Sequence, residues 1–167
     1  MKIVRIPISK PEEKQQTLLT TKLDRDPFAR IIEIIAPITG SAYWLLEGAI
    51  IYKSEETDTI DIVPINVEEL VLCHSEDYEI FLLSYSGMLI LAPYVAGDWT
   101  NVVGIKRKIN CEEYDLYTEM GSGNIKVLLQ CTDSLYWDVY VFNENIENKL
   151  SESFSDATLL QMEKIRF

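Results

Sequence analysis

At 167 residues, 47% hydrophobic and 25% charged, the chain can bury about 70% of its unfolded surface in one core and is too apolar for intrinsic disorder. A formal net charge of −12 argues against direct nucleic-acid binding, because a phosphate backbone is held by a surplus of cations. The longest apolar runs, 80–83 and 88–93, fall far short of the ~20 residues that span a bilayer. A single soluble, cytoplasmic domain over residues 1–167 is expected.

The first eight residues alternate charged with β-branched side chains and lack the apolar centre of a signal peptide, so they predict a strand. Residues 12–20 follow Pro11 and carry two early glutamates, which favours a weak, polar surface helix. The main helix is expected over 27–36. Asp26 is a good N-cap, Pro27 suits the first helical position, and Phe28, Ile31, Ile32 and Ile35 form one apolar stripe. Pro37 is expected to end it.

From Ser41 onward the pattern turns to β. Residues 43–53 and 57–65 read as strands separated by the turn Ser54-Glu55-Glu56. Residues 78–84 and 88–94 flank Tyr85-Ser86-Gly87 and read as a hairpin, apolar on both faces, hence central and covered by the Phe28–Ile35 stripe. Further strands are expected at 102–109, 114–118, 125–130 and 136–142. Gly121-Ser122-Gly123 marks a loop and Thr132-Asp133-Ser134 a turn. Ile146, Leu150 and Phe154 have helical spacing, as do Leu159, Met162 and Ile165 more loosely. No repeat or linker divides the chain. Together these elements predict an α+β fold: a mostly antiparallel sheet of six to eight strands, packed by one main helix and short terminal helices.

Catalytic and cofactor signatures are missing. The only histidine, His74, follows Cys73, and neighbours on a strand face opposite ways, so the pair is poorly placed to share a metal. Cys73, Cys111 and Cys131 contain no Cys-x-x-Cys pair and read as small buried residues of a reducing compartment. Gly121-Ser122-Gly123 lacks the lysine of a P-loop and the third glycine of a dinucleotide site. Asp58-x-x-Asp61 lacks the ligands and glycine of a calcium loop. Neither cofactor nor metal is expected, and the chain reads as a non-enzyme. Two carboxylates across a cleft would serve glycoside hydrolysis, but among 27 acidic residues such a pair arises by chance.

The informative feature is charge segregation. Residues 54–105 carry ten acidic side chains and no basic one, and Lys106-Arg107-Lys108 follows immediately. A coherent negative face steers a basic protein toward it. The candidate partner-binding residues are Glu55, Glu56, Asp58, Glu68, Glu69, Glu76, Asp77 and Asp98, with Trp99 as an anchor, since 97–101 looks like a loop. The basic triplet suits a phosphate or a pairing with nearby acids. An accessory module that binds a small ligand or oligomerises through an exposed strand edge is the alternative, and a carboxylate hydrolase a further one. Monomer and homodimer both stay open.

Residues 133–140, Asp-Ser-Leu-Tyr-Trp-Asp-Val-Tyr, resemble the turn-then-tryptophan strand near the end of several immunity proteins of bacterial toxin systems, the contact-dependent-inhibition and other polymorphic toxins among them. The resemblance implies a bacterial cytosolic inhibitor that blocks a cognate toxin domain, commonly a basic nuclease. It transfers no catalytic residue.

Overall fold

The computed structural model describes residues 2–8, 27–51, 71–74, 79–110, 119 and 121–162. The elements in chain order are β1 (Lys2–Pro7), α1 (Phe28–Thr39), β2 (Tyr43–Glu47), β3 (Ile50–Ile51), β4 (Val71–His74), β5 (Glu79–Ser84) and α2 (Tyr85–Leu91). A 3₁₀ turn (Ala92–Tyr94) leads to β6 (Val95–Ala96), β7 (Thr100–Ile105), β8 (Ile125–Thr132), β9 (Tyr136–Val141), α3 (Glu144–Ser153) and β10 (Thr158–Gln161). Eight strands form one open sheet in the order β10-β1-β9-β8-β7-β2-β5-β4, while β3 and β6 pair separately. All pairings are antiparallel. The α+β architecture expected from the sequence is therefore present.

One face of the sheet carries the helices. Phe28, Ile31, Ile32 and Ile35 are all 0% exposed. They share a cluster with Trp44, Leu46, Leu83, Val102, Leu129 and Val139 from the strands, Met88 and Leu91 from α2, and Ile146 and Leu150 from α3. Burying those four α1 side chains contributes on the order of 6–12 kcal/mol before ordering entropy is subtracted. Phe28 also stacks on Trp137, with ring centroids 4.7 Å apart. The opposite face holds a second apolar cluster of Leu45, Ile80, Val103, Ile105, Ile109 and Leu128. Cys131 is buried in the first cluster, as a small core residue should be.

Several expectations need correction. Helix α1 runs through Pro37 to Thr39 and closes at Gly40 in the left-handed conformation (φ 65°). Pro37 is exposed, as is Glu33 four residues earlier. The carbonyl that loses its partner thus lies on the solvent side, which makes a proline tolerable in the last turn. The strand expected at 43–53 breaks at Gly48 (φ 69°) into β2 and β3. The expected 88–94 strand is helix α2 with its 3₁₀ extension. Ser84 Oγ accepts the Gly87 N–H at 3.0 Å, an N-cap that turns the chain into a helix. Strand β5 lies second from the edge rather than centrally. Residues 158–161, expected as helix, form edge strand β10 against β1. Strand β7 starts at Thr100 and ends at Ile105 rather than spanning 102–109. The elements expected at 12–20, 57–65 and 114–118, and Cys111, lie outside the described residues.

Candidate functional site

The sheet has two chemically different ends. At one end converge the close of β2, the start of β5, the loop before β7 and the β8–β9 turn. Glu47 pairs with Asn101 in β7 and with Ile80 in β5, which places Glu79 beside them. The turn after β8 has positive φ at both Asp133 (52°) and Ser134 (53°), and Leu135 N–H closes it on the Thr132 carbonyl at 3.1 Å. Asp and Ser bear this conformation better than bulky residues do. The described carboxylates on these segments are Glu47, Glu79, Asp98 and Asp133.

Trp99 lies here and is 66% exposed, the most exposed large hydrophobic side chain described. Its backbone is tightly held. The Ser134 hydroxyl is 3.0 Å from both the Gly97 carbonyl oxygen and Asp98 Oδ1. Thr100 Oγ1 accepts the Asp98 N–H at 3.1 Å and donates to the Gly48 carbonyl at 3.2 Å. A Cβ on Gly97 would come within 2.5 Å of Cys131 Sγ and Trp137 Cζ2, and one on Gly48 would strike the Trp99 carbonyl oxygen. Glycine is what lets these segments approach so closely. Leu135, next to Ser134 in the β8–β9 turn, is 43% exposed.

One register further along the sheet, on the face away from the helices, a row of polar residues crosses six strands. Glu47, Asn101, Gln130, Asp138, Arg5 and Thr158 are successive cross-strand partners. Asn101 Nδ2 donates to Glu47 Oε2 at 3.4 Å, Gln130 Nε2 to Asn101 Oδ1 at 2.9 Å, and Tyr140 Oη to Gln130 Oε1 at 2.6 Å. Arg5 forks onto Asp138 with two 2.8 Å bonds and lies 3.7 Å over the Tyr136 ring. A one-residue slip of any strand would break this row, so it fixes register. The hydrogen bonds that Arg5 donates to the Asp138 carboxylate raise the Arg5 pKa above its ordinary value. Burial, reinforced by the Asp138 charge, raises the Tyr140 phenol above 10.0.

Glu47 and Asp138 are three strand spacings apart, about 14 Å. That exceeds the ~5–9.5 Å of a glycosidase pair. Among the described residues no group of three or more His, Cys, Asp or Glu side chains could hold a metal. Within those residues no helix is long and apolar enough to cross a membrane.

Of the residues singled out from the sequence, Asp98 and Trp99 come together at the held loop. Glu55, Glu56, Asp58, Glu68, Glu69, Glu76 and Asp77 lie outside the described residues. Sequence reasoning missed Ser134 as a partner of Gly97 and Asp98. The turn was legible at 132–134, but its contact with residues 97–98 depends on the β7–β8 register. No family model matches the chain, and neither the curated proteins nor the solved structures give a match. Fold and site together define an α+β protein with one open antiparallel sheet and an acid-rimmed aromatic platform at one sheet end.

Proposed function

We propose that the chain is a non-enzymatic binding protein that docks a basic protein partner through the Trp99 end of its sheet. The observation that carries this reading is a tryptophan 66% exposed on a loop held by hydrogen bonds and glycine contacts. Exposing a large aromatic costs solubility, and holding it still lowers the entropy lost on binding. Tryptophans in such settings are typical energetic centres of interfaces. Asp98 and Asp133 supply a negative rim, and the acidic residues 55–77 extend the same charge in sequence. In its specific form the reading is a bacterial cytoplasmic immunity protein that occludes a toxin nuclease domain, supported by the residues 133–140 resemblance, which contains Asp133, Ser134 and Leu135.

The test is capture of the partner from the native cell, followed by calorimetric titration of wild type, Trp99→Ala and an Asp98→Asn/Asp133→Asn double variant. Trp99→Ala should weaken binding by roughly 30-fold or more, the scale of a hot-spot loss. The double variant should flatten the salt dependence between about 0.01 and 0.15 M ionic strength. An unchanged affinity for Trp99→Ala refutes the docking site. A captured partner without toxin activity refutes the immunity form alone.

A second reading rests on a different feature. Edge strand β10, Thr-Leu-Leu-Gln, has no charge or proline to discourage pairing, and Leu159 is 50% exposed. Association of two copies through this edge would make the protein an oligomerising module. Size-exclusion at several concentrations separates the readings, because a concentration-independent monomer removes the second.

A further inference from the structure

The sheet end opposite Trp99 has the reverse charge. Strand β7 leaves Ile105 into Lys106, Arg107 and Lys108, all three exposed. Their backbone is fixed by Asn124, which is only 3% exposed. Lys106 N–H donates to the Asn124 carbonyl at 3.0 Å and Arg107 N–H to Asn124 Oδ1 at 2.8 Å. Asn124 Nδ2 in turn donates to the Arg107 carbonyl at 3.3 Å and to Glu119 Oε2 at 2.6 Å. The β7–β8 register shifts at this point: Gly104 pairs with Val127 and Ile105 with Ile125, leaving Lys126 as the extra residue of a bulge. Bulges commonly re-aim a side chain at the rim of a sheet.

Four cationic residues thus meet at one corner, and with consecutive Cα atoms 3.8 Å apart their backbone positions lie within about 10 Å. The described ion pairs, Lys2–Glu147 and Arg5–Asp138, involve none of them. Glu119 is the described carboxylate at the corner, so four positive charges against one leave a local charge of +3 among the described residues.

We propose that this corner is a binding site for a small multivalent phosphate anion of the pyrophosphate type. Compactness favours that ligand over an acidic peptide, whose single charges would be spaced by about 6.8 Å on alternate residues of a strand. A phosphate group concentrates charge and acceptor oxygens at one point, which suits a guanidinium flanked by ammonium groups. A long duplex is disfavoured by the net charge of −12. The proposal is independent of the Trp99 reading, since it concerns the other end of the sheet.

Titration of the full chain with inorganic pyrophosphate at about 0.01 M ionic strength tests it. Saturable binding is expected, weakened at least about ten-fold in a Lys106→Gln/Arg107→Gln/Lys108→Gln variant. Asn124→Ser should also weaken it, because the clamp is loosened while every cation remains. Urea midpoints of both variants establish that they are folded. Three results would overturn the site: absence of saturable binding; equal affinity in the triple variant; or stronger binding of a short DNA duplex than of pyrophosphate.

Discussion

Replacing Gly48 by alanine separates backbone strain from close approach, because Gly40 provides a matched control. The two glycines have nearly the same left-handed φ, 69° and 65°, but a Cβ on Gly40 meets nothing within 4 Å. Placing an L-residue in that conformation costs about 1–2 kcal/mol. Lower entropy of the unfolded chain returns about 0.4–1 kcal/mol in both variants. Gly40→Ala should therefore lose about 1 kcal/mol. At Gly48 the added methyl also meets the Trp99 carbonyl oxygen, a backbone atom with little room to retreat since Thr100 begins β7. Overpacking of that kind adds about 1–3 kcal/mol, for a total of roughly 2–4. Urea denaturation, with m unchanged, reports both losses as midpoint shifts, and that of Gly48→Ala should be at least about twice that of Gly40→Ala. Of the three tryptophans, Trp44 and Trp137 are buried, so acrylamide quenching reports chiefly on Trp99. Equal midpoint shifts with unaltered quenching would refute the argument that Gly48 holds the Trp99 loop.

Ser84→Ala removes the cap of α2 and should cost about 1 kcal/mol, with amide exchange accelerating first in residues 85–91. Tyr140→Phe tests the raised phenol pKa. Its neutral form is favoured in the fold, so its contribution is complete below the unfolded value near 10.0 and is lost as pH rises through the higher folded value. The variant should lose less stability than wild type when urea midpoints are compared below and above pH 10.0; identical alkaline losses would contradict the shift. Arg5→Met strands Asp138, whose side chain is 11% exposed. Because the Arg5 side chain is itself 36% exposed, solvent screening limits the loss to about 1–3 kcal/mol, and a further Asp138→Leu change should restore part of it.

The elements legible in the sequence were those whose signals are local. The α1 stripe, the alternation of residues 2–7 and the turn at Asp133 each rest on a few adjacent residues. Helix α2 was misread because Met88-Leu89-Ile90-Leu91 is uniformly apolar, and such a run suits a strand as well as a helix. The deciding signals were Ser84 three residues before Gly87, and the i, i+3 pair Met88 and Leu91, which alone are buried in α2. Strand β10 was misread for another reason: its two leucines acquire a strand's role only by pairing with β1. The polar row could not be read at all. Its members come from six strands, and only the register aligns them. Trp99 was legible as an exposed loop residue, whereas the Ser134 contact that steadies it was not.

Strand β1 lies between β9 and β10, and Arg5 meets an Asp138 partner 133 positions away. On a ribosome adding about 5–20 residues per second, that partner is made roughly 7–27 s after Arg5. Until then an apolar segment with both edges unsatisfied waits for the last strands, a high-contact-order closure that favours slow folding. Strand β1 is consequently the described strand that waits longest for both of its neighbours. Lengthening the delay by slowing translation between the codons of β1 and those of β10 should lower the soluble yield.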